Sequence, residues 1–190
     1  VDDGSSDDTA GIAAKCGADV IHQKNQGPGA ACNNGLTRVT APVVAYLDSD
    51  DLWLPDKMER QLAALEEDPS LAAVYGRTRL FRHGTPPDSG GTVRDNWGRT
   101  AMAARTASKR AIGPFYDPPD IGIGDTVDWV ARAREGGYRL LMMPEIVAYR
   151  RVIPGSLSYG YNRRDLGYLD VARRSLERRR GRHTAELHAK

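Results

Sequence analysis

The residues of this chain best suited to chemistry are its clustered carboxylates. Asp48, Asp50 and Asp51 fall within four residues, directly after the apolar run Pro42-Val43-Val44-Ala45-Tyr46-Leu47. Carboxylates held that close repel one another, and a nearby cation relieves the cost. Hard divalent ions such as Mg2+ or Mn2+ take oxygen ligands, commonly one or two carboxylates completed by substrate phosphates and water. The same residues would equally form a capped turn ahead of a helix beginning at Pro55. Taken alone, the segment leaves both uses open. A second acidic segment, Asp2-Asp3-Gly4-Ser5-Ser6-Asp7-Asp8-Thr9, follows what reads as a strand end. Its carboxylates suit hydrogen bonds from a nucleobase or ribose, or a helix cap. A calcium loop is excluded by spacing, since no glutamate completes the pattern.

The elements that must position these groups alternate β then α. Ile12, Ala13 and Cys16 predict an apolar stripe on a first helix ended by Gly17, and a short strand follows at Asp19 to His22. Asn25 to Gly29 is turn chemistry, and Ala30 to Arg38 is helical. Val43 to Leu47 has the continuous apolar character of a buried parallel strand. Met58, Leu62 and Leu65 mark the next helix. Strands are expected at 72–75, 78–81, 138–143 and 146–150, a loop from His83 to Gly98, a short helix ending at Ile112, and a helix from Thr126 to Glu135. In open α/β sheets ligands bind at the carboxyl ends of strands, where both acidic segments fall. One α/β domain with a helical tail is the simplest architecture.

Composition narrows the function classes. With 190 residues the chain can bury about 70% of its unfolded surface without metal or disulfide staples. Its 27 Lys and Arg nearly balance 25 Asp and Glu, and no recognition motif appears, which argues against nucleic-acid binding. No stretch approaches the roughly 20 apolar residues of a membrane helix. Cys16 and Cys32 read as buried free thiols, favouring a reducing, cytoplasmic setting. The four histidines lack ligand spacing. Trp53 and Trp129 suit the core, while Trp97 falls in the long loop. Beyond Gly160 a basic helix is expected, with Leu166, Leu169, Ala172 and Leu176 on one side. Its arginines, from Arg163 and Arg164 to Arg182, are most simply a solvated face; the alternative is peripheral contact with an anionic membrane at its inner face.

The two acidic segments, in this order and 45 residues apart from Asp3 to Asp48, resemble the family-2 glycosyltransferases of the GT-A fold. The family pattern VDDGS-x-D-x-T matches Val1 to Thr9. Its N-x-G segment with a nearby Asn matches Asn25-Gln26-Gly27 with Asn33, and its D-x-D-D strand end matches Asp48 to Asp51. Further matches run from Arg105 to Phe115, and from Gly124-Asp125-Thr126-Val127-Asp128-Trp129 to Pro144-Glu145.

The resemblance implies a Rossmann-like, three-layer α/β/α sandwich with a mostly parallel sheet, a GT-A catalytic domain over 1–155 lacking its first strand and helix, and a basic tail over 156–190. It implies a nucleotide-diphosphate sugar donor, contacted by Asp2, Asp3, Ser5, Asn25, Gly27, Asn33, Asp48, Arg150 and Arg151. A divalent metal, Mn2+ or Mg2+, would sit on Asp48 and Asp50, supported by Asp51 and Asp128. Asp125 would be the base of an inverting, hexosyltransferase-like displacement on a carbohydrate, lipid-linked or small-molecule acceptor. The chain departs from the family in two places. The usual Glu-Asp pair reads Asp125-Thr126, and the histidine expected after the late arginines is replaced by Val152-Ile153-Pro154. A noncatalytic sugar-nucleotide-binding module is the alternative reading.

Overall fold

The computed structural model describes residues 1–116, 125–156 and 168–188, with side chains as far as Gly181. Gly124, Arg163, Arg164, Leu166 and the side chain of Arg182 lie outside the described residues. In chain order the elements are α1 (Thr9–Lys15), α2 (Pro28–Arg38), β1 (Val43–Ala45), β2 (Leu52–Trp53), α3 (Lys57–Glu67), β3 (Leu71–Arg82) and β4 (Val93–Asn96). After a 3-10 turn at Arg99–Ala101 come β5 (Ala103–Arg105), α4 (Thr106–Ile112), α5 (Asp125–Glu135), β6 (Arg139–Val152) and α6 (Tyr168–His188).

The sheet runs in the order β1-β5-β3-β6-β2, and β4 also pairs with β3. Helices cover both faces. Adjacent residues of a strand point to opposite sides. Tyr75 of β3 accordingly packs with Leu36 of α2 and Trp129 and Val130 of α5, while Val74 packs with Leu65 of α3. Full burial of side chains such as Met102 and Phe115 in the larger cluster stabilises the fold by about 1.5–3 kcal/mol each. The three layers match expectation, but the strand directions do not. Among the described strands β3–β6 is parallel, whereas β1–β5, β2–β6, β3–β4 and β3–β5 are antiparallel. An apolar run such as Val43 to Leu47 reports burial and carries no record of its neighbour's direction, so a mostly parallel sheet was not legible from it.

Two expected pairs of strands are each a single strand, β3 and β6. Pro144, in the middle of β6, sits where the register slips: Tyr75 faces Met142, but Arg77 faces Ile146. Two residue steps on β3 thus oppose four on β6, and this bulge takes the proline out of the ladder. Gly76 lies at the slip, where a Cβ would come within 2.5 Å of Val147 Cγ1. The expected loop from His83 to Gly98 contains β4, whose Val93-Arg94-Asp95-Asn96 has one apolar residue and so no readable alternation.

Three helices bury faces other than the expected ones. α1 buries no residue; Ile12 is 58% exposed, and Cys16 is an exposed thiol rather than a buried one. On α3 the buried stripe is Lys57, Gln61 and Leu65, leaving Leu62 at the surface. On α6 the buried apolar residue is Val171, while Leu169 and Leu176 are 75% and 56% exposed. α6 meets α5 largely through polar groups: Ser175 and Arg178 bond Glu135, and Arg178 also reaches Asp128. Hydrophobic spacing cannot announce an interface of that kind. Among the described residues no helix is long and apolar enough to cross a membrane.

Candidate active site

The turn after β1 separates its carboxylates by function. The Asp51 N–H donates to the Asp48 carbonyl at 3.0 Å, closing the turn. Asp51 is 6% exposed and accepts from Thr100 Oγ1 at 2.9 Å and from the Arg151 N–H at 3.0 Å. Burial pushes its carboxyl up to about 6; the hydrogen bonds from Thr100 and Arg151 oppose the rise, and the neighbouring Asp50 and Asp48 add to it. Asp51 therefore pins the loop. Asp50 is half-buried, and no donor among the described residues bonds its carboxylate. Arg151 Nε holds the Asp50 carbonyl at 2.9 Å, with its guanidinium 4.9 Å from the centre of the Phe81 ring.

Asp48 and Asp125 meet at one residue that sequence reasoning missed. Arg99 Nε donates to Asp48 Oδ1 at 3.2 Å, and its Nη1 donates to Asp125 Oδ2. Asp125 is 5% exposed and lies in the first turn of α5, where the helix dipole favours a negative charge. Thr126 Oγ1 donates to its other oxygen at 3.3 Å. Burial alone would draw the Arg99 guanidinium down, but Asp48 and Asp125 more than offset this and hold it above its ordinary value. Cys32, on α2, feels the same three charges, and burial pushes its thiol up to about 11.

The turn carrying Arg99 is fixed by side chains from β2 and α3. Trp53 Nε1 donates to the Thr100 carbonyl at 3.0 Å, Gln61 Nε2 to that of Ala101 at 2.8 Å, and Lys57 Nζ to that of Met102 at 3.2 Å. Three consecutive carbonyls thus each receive a side-chain donor. Lys57 also donates to Gln61 Oε1 at 2.6 Å and lies 4.4 Å from the centre of the Trp53 ring. Burial draws its ammonium down to about 7. The signal available in sequence was Lys57, Gln61 and Leu65 at four-residue spacing, one helix face with two polar members.

The two amino-terminal segments fold onto each other. Asp3 accepts from Gln23 Nε2 at 2.7 Å and from the N–H groups of Gln26 and Gly27 at 2.9 Å each. Gly4 sits against Asn25, and a Cβ there would lie 3.1 Å from the Asn25 nitrogen. The Ser5 N–H and His22 Nδ1 both bond Asp2. Hydrogen bonding to Ser5 holds the Asp2 carboxyl below its ordinary range. Gly27 enters α2 with φ of 93°, a conformation that favours glycine. α2 then runs to Cys32 beside Asp48, so one helix links the two acidic segments.

Other candidates are placed in the scaffold. Asn33 clamps Phe115, donating to its carbonyl and accepting from its N–H, both at 2.8 Å. Asp128 is fully buried between Arg132 Nε at 2.7 Å and Arg178 Nη1 at 3.0 Å, where it ties α5 to α6. Trp97 lies tilted at 52° to Tyr75 with ring centres 5.0 Å apart and Arg134 4.6 Å from its own ring centre, half-buried against the core. Arg150 and Arg151 oppose Leu80 and Phe81 in the β3–β6 ladder, and alternation sends them to opposite faces.

Asp48 and Asp50 form a donor set of two carboxylates on one turn. That set fits Mg2+ or Mn2+, which accept one or two carboxylates and take further oxygens from phosphate and water. Among the described residues no group of three or more His, Cys, Asp or Glu side chains could hold a metal ion without such help.

Comparison with known proteins places this geometry. The model of the family described as Glycosyl transferase family 2 matches residues 1–121. An uncharacterized glycosyltransferase of Rickettsia conorii is 45% identical over 71 residues, 35% of this chain and 12% of that protein. The match therefore spans a small part of that relative's length. A crystal structure of S. aureus TarS in complex with UDP-GlcNAc superposes with a TM-score of 0.63 at 17% identity, covering 85% of this chain and 51% of that one. Glucosyl-3-phosphoglycerate synthase from Mycobacterium tuberculosis, in complex with Mn2+, UDP and glucosyl-3-phosphoglycerate, superposes at 0.53 and 18% identity, covering 81% of this chain and 60% of that one. The shared fold is GT-A.

Proposed function

We propose that this chain, which belongs to glycosyl transferase family 2, transfers a sugar from a nucleotide-diphosphate donor to an acceptor hydroxyl with inversion at the anomeric carbon. The observation that carries the reading is the convergence of Asp48 and Asp125, far apart in sequence, on the Arg99 guanidinium. An acidic turn beside a second, deeply placed carboxylate provides a donor-binding group and a base within one cleft. Binding of UDP-GlcNAc by TarS, and of UDP with Mn2+ by the synthase, supports a uridine diphosphate sugar as the first donor to test.

Under this reading Asp2, Asp3, Ser5, Asn25 and Gly27 line the nucleotide end, and Arg151, which bonds the Asp50 carbonyl, stands by the diphosphate, while Arg150 is sent to the opposite face of the sheet. Asp48 and Asp50 would hold Mg2+ or Mn2+, which when bound neutralises the charge that gathers on the departing diphosphate. Asp125 takes the proton from the acceptor hydroxyl as that oxygen attacks. Arg99 and the start of α5 set positive charge beside the Asp125 carboxylate. Asp51, Asn33 and Asp128 hold the walls in place.

Turnover of UDP-sugars with Mn2+, followed by release of UDP, tests the assignment. Asp125→Asn is expected to lower kcat by about 10²–10⁴ while nucleotide binding persists. Asp50→Ala is expected to abolish Mn2+-dependent nucleotide binding. Unchanged turnover in Asp125→Asn, with Asp50→Ala inactive, would remove Asp125 from the role of base. Mn2+-dependent UDP binding without turnover on any donor would instead mark a binding module. The anomeric configuration of the product, read by NMR, decides between inversion and retention.

A further inference from the structure

We propose that Arg99 is an internal counter-cation of the donor site: it holds Asp48 when no donor is present, cedes it to the arriving divalent cation, and stays with Asp125. The inference rests on the metal-binding role assigned above to Asp48 and Asp50. Its basis is the unequal grip of one guanidinium on two carboxylates.

The Asp48 leg is the weak one. At 3.2 Å it exceeds the 2.7–2.9 Å usual for a charge-assisted bond, and the Asp48 side chain is 39% exposed, so water screens the pair. The Asp125 leg is the strong one, since both side chains are largely buried. Breaking a buried pair leaves an uncompensated charge, whereas breaking an exposed one costs little. Arg99 cannot follow Asp48 by a backbone shift, because the carbonyls of Thr100, Ala101 and Met102 are held by Trp53, Gln61 and Lys57. Any rearrangement is confined to the side chain.

A divalent cation on Asp48 and a guanidinium on the same carboxylate repel each other. Arg99 therefore weakens metal binding to the protein alone. Nucleotide diphosphate supplies the negative charge that makes the two cations compatible, so metal and nucleotide bind with positive coupling. Asp125, which is no metal ligand in this arrangement, still sets metal affinity by competing with Asp48 for Arg99.

Titration with MnCl2, read by electron paramagnetic resonance of free Mn2+ with and without UDP, tests this through two variants of opposite sign. Arg99→Gln is expected to bind Mn2+ alone about tenfold more tightly than wild type, since the competitor is gone. Asp125→Asn is expected to bind it more weakly, because Arg99 is left with Asp48 as its charged partner. UDP should raise the wild-type affinity by a larger factor than that of Arg99→Gln. Asp125→Asn is nearly isosteric and keeps the test decisive should Arg99→Gln fold poorly. If wild type binds Mn2+ and UDP through Asp50 while the variant or variants that fold match its Mn2+ affinity, the inference is overturned and the donor-site reading stands. If none of the proteins binds Mn2+ even with UDP, the metal role of Asp48 and Asp50 fails and the inference goes with it.

Discussion

Asp50 and Asp51 are neighbours in sequence with different fates, one half-buried with no donor on its carboxylate among the described residues, the other buried and hydrogen-bonded. The consequence for Asp51 is a dependence of stability on pH. Its folded-state pKa of about 6 lies above the ordinary aspartate value, so the native state holds the proton more tightly than the unfolded chain. This contribution is present in full below about pH 4 and is lost as pH rises through about 6. Asp51→Asn should remove that loss, on the order of 2–3 kcal/mol, and flatten the profile of Tm against pH between 4 and 7 relative to wild type. At this scale Asp48, Asp50 and Asp125 were legible because their spacing matches a known pattern. Arg99 was not, since Asn96-Trp97-Gly98-Arg99 has no periodicity and an arginine in such a stretch reads as solvated. Lys57 and Gln61 escaped notice for a related reason: polarity predicts exposure, yet both are fully buried and find acceptors on the chain.

Elements add constraints that no residue shows alone. The bulge at Pro144 lets one long strand run beside β3 across an interruption, and Gly76 is the position that tolerates the close approach of Val147. Gly76→Ala should destabilise the protein by about 1–3 kcal/mol in urea unfolding, through overpacking against the Val147 side chain. Helix existence was largely readable from apolar spacing and from the Gly and Pro stops. Which face each helix buries was less so, as α1, α3 and α6 show, because two of the three interfaces are made by polar side chains. β4 escaped notice because an edge strand with one apolar residue carries no alternation.

The molecule as a whole is a sheet with helices on both faces and α6 laid against α5. α6 is attached by charge more than by apolar burial: Arg178 bonds both Glu135 and the fully buried Asp128. Arg178→Met should loosen α6 and lower stability by about 1–2 kcal/mol, with Arg132 still holding Asp128. Limited proteolysis would then cut within α6 first. The layered plan was legible in sequence from alternating β and α segments, whereas strand direction was not, because direction depends on which segments become neighbours. With three successive carbonyls gripped from β2 and α3, and Thr100 bonded to Asp51, the Arg99 turn and the acidic turn form a single stiff wall. Asp125, at the start of α5, is joined to it through Arg99. Because α5 is also packed into the core through Trp129 and Val130, the Arg99 side chain is the part of this arrangement that a bound substrate can redirect without moving the backbone on either side.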